Sequence, residues 1–329
     1  MLVLWVLGVL YLCLSLACVY SLRRGLQEVA ICDSIQDTIS PEWVPFMRPS
    51  SKYLPSRIKM YLRAFFIAPL SVMLFCTIFG ILGLVGTVTG RSPTYLYPIL
   101  GPAVTYLMGV RFEIVGQPEK VPIYVSNHIG TFDTHWIVLA HYSITALAKL
   151  EVGDMPFVGR VAKLMDCIFV DRSKTADRQA AQTAIDDYCR KYTPDKPTLL
   201  VYPEGTTSNH LQLLPFKTGA FQLTDTFYQP LRIEYPSPHY SFAIGTNQLV
   251  PWTFCFSLGG GVVRLTFLPV QRRGINETPE EAAERTRRLI ATDKMPAGEY
   301  GTYRAHNDLE RHVAAIRTGK QLTDTNKIE

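Results

Sequence analysis

A chain of 329 residues with 33 Lys+Arg, 28 Asp+Glu and a net charge of +5 has room for one large domain or two ordinary ones. Only 19% of its residues are charged, against roughly 25% in soluble chains, and the deficit sits in three uncharged stretches, residues 1–22, 64–90 and 92–110. That pattern excludes a disordered chain, a collagen, a coiled coil and a polytopic transporter, and basic residues that never run beyond two in a row argue against a nucleic-acid partner.

Met1–Leu22 has the length of a bilayer span, which needs about 20 apolar residues. Its start is uncharged, its apolar run is long and Arg23-Arg24 follow at once. These features favour a retained anchor over a cleaved signal peptide, with the N-terminus outside and Arg23 in the cytosol. Residues 23–63 hold seven Lys/Arg against four acids and read as a basic linker, rich in Pro and Ser from Ser40 to Ser56. Ala64–Gly90 fits either a full crossing or a re-entrant hairpin, because Pro69 and glycines 80, 83, 86 and 90 are compatible with a bend. The next stretch, broken by Pro93, Pro98, Gly101 and Pro102, reads as a surface or core-docking helix over Ile99–Gly109. Residues 64–110 are therefore expected to be membrane-embedded. Seven cysteines without a C-x-x-C spacing point to reduced thiols, with no metal site and no disulfide framework.

From Arg111 to Val270 short apolar runs alternate with amphipathic ones. The runs predict strands at Arg111–Val115, Pro122–Ser126, Ile144–Ala148, Cys167–Asp171, Thr198–Tyr202, Pro230–Tyr235 and Val262–Leu268. Helices are expected near Phe132–His141, Pro156–Leu164, Thr175–Tyr192, Lys217–Thr226 and Val250–Leu258. This alternation predicts an α/β domain over residues 111–270, with a largely parallel sheet flanked by helices. A helical extension follows over 271–329, with helices at Pro279–Ile290 and Glu299–Ile316.

Ligands of such sheets bind beyond the strand C-terminal ends. Those ends carry Ser126-Asn127-His128, Asp171-Arg172 and Pro203-Glu204-Gly205-Thr206. A histidine in a loop, with Asp133 in the first turn of the next helix, forms a base–orienter pair. The imidazole takes a hydroxyl proton while the carboxylate fixes its tautomer. Gly130 and a Thr131 N-cap suit that geometry. Alone, the spacing reads equally well as a loop histidine, while His135 and His141 read as surface or packing residues. Arg172 and Lys149 each follow a strand, where a cation can hold a phosphate or simply face solvent. Gly205 allows close backbone approach to a phosphate, and Thr206 adds a hydroxyl. No G-x-S-x-G elbow, P-loop, H-E-x-x-H or G-x-G-x-x-G after a strand is present.

Taken together these residues resemble the glycerophospholipid acyltransferase family. Asn127, His128 and Asp133 match its N-H-x4-D motif, and Phe169-Val170-Asp171-Arg172 its F-x-D-R motif. Pro203–Thr206 match P-E-G-T, Pro215–Gly219 match P-F-K-x-G, and Pro230-Leu231-Arg232-Ile233 resembles the fourth motif. Thr207-Ser208-Asn209, Tyr235-Pro236, Trp252-Thr253 and Phe267–Val270 are similar to the lysophosphatidylcholine and lysophosphatidylethanolamine acyltransferase branch. The resemblance implies transfer from acyl-CoA to a lysophospholipid hydroxyl, with His128 as base, Asp133 as its orienter and backbone N–H groups at the oxyanion. It places Asn127, Lys149, Arg172, Glu204, Gly205, Thr206 and Lys217 at the substrates and requires no metal or organic cofactor. It also implies a bilayer-bound protein, expected in the endoplasmic reticulum with its catalytic domain facing the cytosol. Lysophosphatidic acid or glycerol 3-phosphate as acceptor, and a non-catalytic adaptor on the same fold, are the alternatives.

Overall fold

Two adjacent strands, β2 (Ile123–Ser126) and β5 (Thr198–Val201), are buried at every residue. Such uninterrupted burial belongs to parallel strands covered on both faces. Around them lie β1 (Arg111–Val115), β3 (Ile144–Lys149), β4 (Ile168–Val170), β6 (Phe227–Glu234), β7 (Val262–Phe267) and the short β8 (Gln271–Arg272). The order is β1-β7-β6-β2-β5-β3-β4, with β8 pairing β6. All pairings are parallel except β6 with β7 and β6 with β8. The expected largely parallel sheet is therefore present, closed on one side by an antiparallel return. The computed structural model describes residues 1–318 apart from 131, 142, 156–157, 171–174, 210, 225, 242–248, 300 and 302.

Helices α5 (Asp133–Ala140), α6 (Val158–Leu164) and α7 (Thr175–Arg190) connect successive parallel strands. The helix expected over Lys217–Thr226 is a single 3-10 turn, Thr218–Phe221. The Gly219 carbonyl there accepts from Gln182 Nε2 on α7 at 3.0 Å, so it does not extend a helix. After β8, helix α9 (Pro279–Ile290) starts from a capping box in which Thr278 and Glu281 satisfy each other's backbone N–H groups. Helix α10 (Tyr303–Thr318) follows.

The N-terminal third departs most from expectation. The helix expected to end at Leu22 runs on as α1, Leu2–Ile35, because no Pro interrupts it and Gly25 is seated against the Phe254 ring. Its outer half exposes Leu4, Trp5, Leu7, Leu10 and Leu16, whereas Cys18, Leu22, Val29 and Cys32 are buried. The segment expected to be a linker packs against the body: Phe46, Met47 and Arg48 are buried, and Arg48 Nη2 donates to Glu28 at 3.1 Å.

Residues 64–90 form neither a hairpin nor an isolated span. The chain turns between α2 (Arg57–Phe66) and α3 (Ala68–Thr89), where Pro69 occupies the first turn, and α3 is then continuous. Of the glycines expected to bend it, Gly90 ends the helix at φ +65° and Gly86 serves packing. A Cβ on Gly86 would lie 2.7 Å from Leu164 Cδ1 of α6, so Gly permits the close approach. One face of α3 buries Ser71, Phe75, Ile78, Leu82 and Gly86, and the other exposes Leu70, Met73, Ile81, Leu84 and Val88. The helix expected at Ile99–Gly109 is α4 (Tyr97–Met108). Helix α8 (Leu249–Leu258) is almost wholly buried and packs against α1, α2 and α3.

Candidate active site

Strands β2, β5 and β6 lie side by side and parallel, so their C-terminal ends open onto one crevice. His128 follows the first, Glu204 the second and Tyr235 the third. Asn127 determines how the chain leaves β2. Its Nδ2 donates to the Ile233 carbonyl at 3.0 Å, and its Oδ1 accepts from the Ile233 N–H at 2.8 Å. The side chain thereby extends the β2–β6 ladder by one rung, and the backbone is released toward the crevice.

The structure brings His128 and Asp133 together. His128 Nδ1 lies 2.8 Å from Asp133 Oδ2, with His128 partly open to solvent and Asp133 fully buried. The same oxygen accepts from the Ile129 N–H at 2.6 Å and the Gly130 N–H at 3.0 Å. The other oxygen accepts from Tyr235 Oη at 2.7 Å, whose own oxygen accepts from Trp136 Nε1 at 3.0 Å. Four donors thus hold one carboxylate. Burial pushes the Tyr235 hydroxyl well above its usual range, so it remains a neutral donor. With the carboxylate accepting from Nδ1–H, the Nε2 lone pair of His128 remains for a substrate proton. The imidazole stacks on the Tyr202 ring, with centroids 4.1 Å apart and planes 14° apart. Thr131 lies outside the described residues, and α5 begins at Asp133 with Phe132 as its N-cap.

Glu204 is turned inward rather than toward substrate. It is buried, and its two oxygens accept from the His128 N–H at 2.6 Å and the Leu214 N–H at 3.0 Å. Burial, opposed in part by those two bonds, pushes its carboxyl up to about 8. Asn127 is likewise fully buried with its amide engaged, so both side chains are held by backbone groups. Gly205 adopts φ +72°. A Cβ there would lie 2.3 Å from Lys217 Nζ, which places that ammonium directly over the turn. Gly205, Thr206 and Thr207 line the cavity beside His128. Ser208 donates its N–H to the His128 carbonyl at 3.1 Å, while Asn209 binds the Val44 and Pro45 carbonyls. Arg172 lies outside the described residues, and of Lys149 only the backbone, paired with Val170, is described.

The cavity measures about 560 Å³, within the roughly 300–1,000 Å³ usual for ligand pockets. Phe75, Phe79 and Leu82 of α3 form one apolar wall, and Val158, Val161 and Ala162 of α6 another. His135 also lines it, but its ring nitrogens face the Tyr97 and Thr105 hydroxyls. Burial lowers His135 to about 3, which keeps it neutral. Sequence reasoning missed three contributors: Tyr235 as a partner of Asp133, the α3 wall, and the α10 residues His306, Asn307 and Glu310. Tyr235 was within reach of that reasoning, since it is the last residue of a predicted strand.

Residues 112–234, from β1 through β6, match the family model Acyltransferase. The chain is 32% identical over 185 residues to a lysophospholipid acyltransferase of Arabidopsis thaliana, covering 54% of this chain and 46% of that protein. It is 30% identical over 209 residues to lysophosphatidylcholine acyltransferase 2 of Rattus norvegicus, covering 58% and 36%. It is 35% identical over 136 residues to a 1-acyl-sn-glycerol-3-phosphate acyltransferase of Limnanthes alba, covering 40% and 47%. The matches thus span about half or less of each relative. The fold is shared with the 1-acyl-sn-glycerophosphate acyltransferase PlsC of Thermotoga maritima, at TM-score 0.52 and 16% identity, covering 82% of this chain and 99% of that one.

Proposed function

We propose that the protein transfers an acyl group from acyl-CoA to the free hydroxyl of a lysophospholipid, with lysophosphatidylcholine or lysophosphatidylethanolamine favoured. The observation that carries this reading is the His128–Asp133 pair at 2.8 Å on the wall of a mainly apolar cavity. The acceptor O–H gives its proton to His128 Nε2 as its oxygen attacks the thioester carbonyl. The resulting oxyanion is held by nearby backbone N–H groups, each worth about 3–4 kcal/mol in comparable sites. The C–S bond then breaks, the new ester remains, and His128 returns the proton to the departing thiolate. Acids and bases so placed contribute roughly 10²–10⁴-fold.

The apolar walls of α3 and α6 accept the acyl chain, each buried CH₂ contributing about 0.8 kcal/mol. Arg172, Lys149 and Lys217 are assigned to phosphate. Among the described residues two helices are long and apolar enough to cross a membrane. With the exposed face of α3 they hold the site at a bilayer, in our reading that of the endoplasmic reticulum with the domain facing the cytosol. The similarity to a 1-acyl-sn-glycerol-3-phosphate acyltransferase favours lysophosphatidic acid as the second acceptor to consider.

The test supplies labelled acyl-CoA with a panel of lysolipids to the purified full chain and separates the products. Label in phosphatidylcholine or phosphatidylethanolamine is expected. Label only in phosphatidic acid selects the second acceptor, and label in no phospholipid refutes the transfer reading.

A further inference from the structure

The hydrogen bond between His128 Nδ1 and Asp133 Oδ2, at 2.8 Å, holds one edge of the imidazole but leaves its plane free to tilt. The second restraint acts on the face of the ring. The Tyr202 ring lies nearly parallel to it, with centroids 4.1 Å apart and planes inclined by 14°. Tyr202 directly follows β5, and Glu204, two residues on, accepts the His128 N–H at 2.6 Å. The end of β5 therefore holds His128 twice, by its backbone through Glu204 and by its ring through Tyr202. The phenol is itself anchored, since its hydroxyl lies 3.2 Å from Thr134 Oγ1. Asp133 and Thr134 are neighbours in the first turn of α5, so one turn of helix holds the imidazole by its edge and the phenol by its tip. His128, Thr134 and Tyr202 all line the catalytic cavity.

A ring over one imidazole face has two effects. It keeps the plane from tilting, so Nε2 keeps one direction. It also presents the negative face of an aromatic π-system to a group that becomes a cation on taking a proton. The attraction of a cation to such a face is absent while the imidazole is neutral, so it acts in the transition state rather than on substrate binding. We propose that Tyr202 is the positioning residue of the base: its ring fixes the plane of His128 and steadies the imidazolium formed when the acceptor hydroxyl gives up its proton. This role rests on the acyl-transfer reading and adds to it the aromatic side chain through which β5 acts on the base. Tyr202 exchanges no proton with substrate, so its ring is required and its hydroxyl is not.

The test uses the full chain in detergent micelles with two variants, each checked for folding by circular dichroism. Tyr202→Leu removes the ring and stays apolar, whereas Tyr202→Phe keeps the ring and removes the hydroxyl. Tyr202→Leu is expected to lower kcat for acyl transfer by roughly five- to thirty-fold and to leave both KM values within about two-fold of the wild type. Tyr202→Phe is expected to keep at least about half of the wild-type kcat. A Tyr202→Leu protein with wild-type kcat, an equal loss in Tyr202→Phe, or a change confined to KM would overturn the role. Proton magnetic resonance of the chain carrying isotope-labelled histidine gives a readout that needs no turnover, with the His128 ring signals assigned by their loss in His128→Ala. Lying over the Tyr202 face, these signals are expected upfield of free histidine in the wild type and in Tyr202→Phe, and back downfield in Tyr202→Leu. Signals at the free-histidine position in the wild type would overturn the role without any Tyr202 variant, and so would signals that Tyr202→Leu leaves in place. If the wild type acylates no lysolipid while its His128 signals respond to Tyr202 as expected, the hold of Tyr202 on His128 stands and only the transfer reading fails.

Discussion

At the scale of single residues, the site is a buried carboxylate, Asp133, held by four donors, one of them the His128 imidazole. Removing the Tyr235 hydroxyl leaves Asp133 Oδ1 without its donor, and a hydrogen bond to a charged group is worth about 1.5–3 kcal/mol. Tyr235→Phe should therefore lower kcat by roughly ten-fold or more with little change in either KM. A change confined to KM would mean that Tyr235 contacts substrate instead. Glu204 carries a pH prediction. Its carboxyl is raised to about 8 by burial from an ordinary value near 4.5, so the native state keeps a proton that the unfolded chain releases. Its contribution is complete below about pH 4.5 and is lost as the pH rises through about 8. Denaturant midpoints of the wild type should fall across that window, and those of Glu204→Gln should fall less steeply. Parallel slopes would show that Glu204 is ionised in the fold. Glu204→Gln should also be less stable near neutral pH, by about 1–3 kcal/mol, because its NH₂ faces either the His128 or the Leu214 donor. For Arg172 the expectation is kinetic: Arg172→Ala should raise the acceptor KM more than the acyl-CoA KM, and equal effects would remove it from the acceptor phosphate.

At the scale of elements, the strand ends were legible and the helix partnerships were not. Apolar runs bounded by polar turns show where β2, β5 and β6 stop, and hence that His128 and Glu204 emerge together; the boundaries differ by only a few residues. What Glu204 and Asn127 do there was hidden, because nothing local distinguishes a carboxylate aimed at substrate from one aimed at the backbone N–H of a loop 76 residues earlier. The same limit applies to α3, where Gly86 looks like a hinge in sequence and is a contact point once α6 is beside it. Arg63 is another long-range case. It donates to the Leu107 and Met108 carbonyls at the end of α4 and to the Phe256 carbonyl near the end of α8, all at 3.0 Å. A cation at two helix C-termini satisfies carbonyls that have no intrahelical partner. Arg63→Met, which keeps the stem and removes the charge, should cost about 2–3 kcal/mol in denaturant unfolding, and a loss below about 0.5 kcal/mol would contradict this role.

At the scale of the whole molecule, apolar surface is concentrated on α1, α2 and α3, through residues such as Trp5, Leu10, Ile58, Leu62, Phe66, Met73 and Leu84. Helix α3 stays beside the catalytic domain along its length: Phe75 and Leu82 line the cavity, and Arg160 Nη2 donates to Thr87 Oγ1 near its end. In the proposed reading the domain lies on the same side of the bilayer as Arg57 and Lys59. A glycosylation sequon introduced between Gln271 and Asn276, near the exposed Ile275, should remain unmodified, and efficient glycan addition would place the domain on the lumenal side. The central claim is that this body holds a base-catalysed acyl-transfer site built on His128. The most direct measurement is transfer of labelled acyl groups from acyl-CoA to lysophospholipid by the wild type and by His128→Ala, each shown by circular dichroism to be folded. Wild-type transfer reduced at least 100-fold in the variant is the predicted result, whereas a folded His128→Ala protein that retains more than a few per cent of the rate would contradict the account.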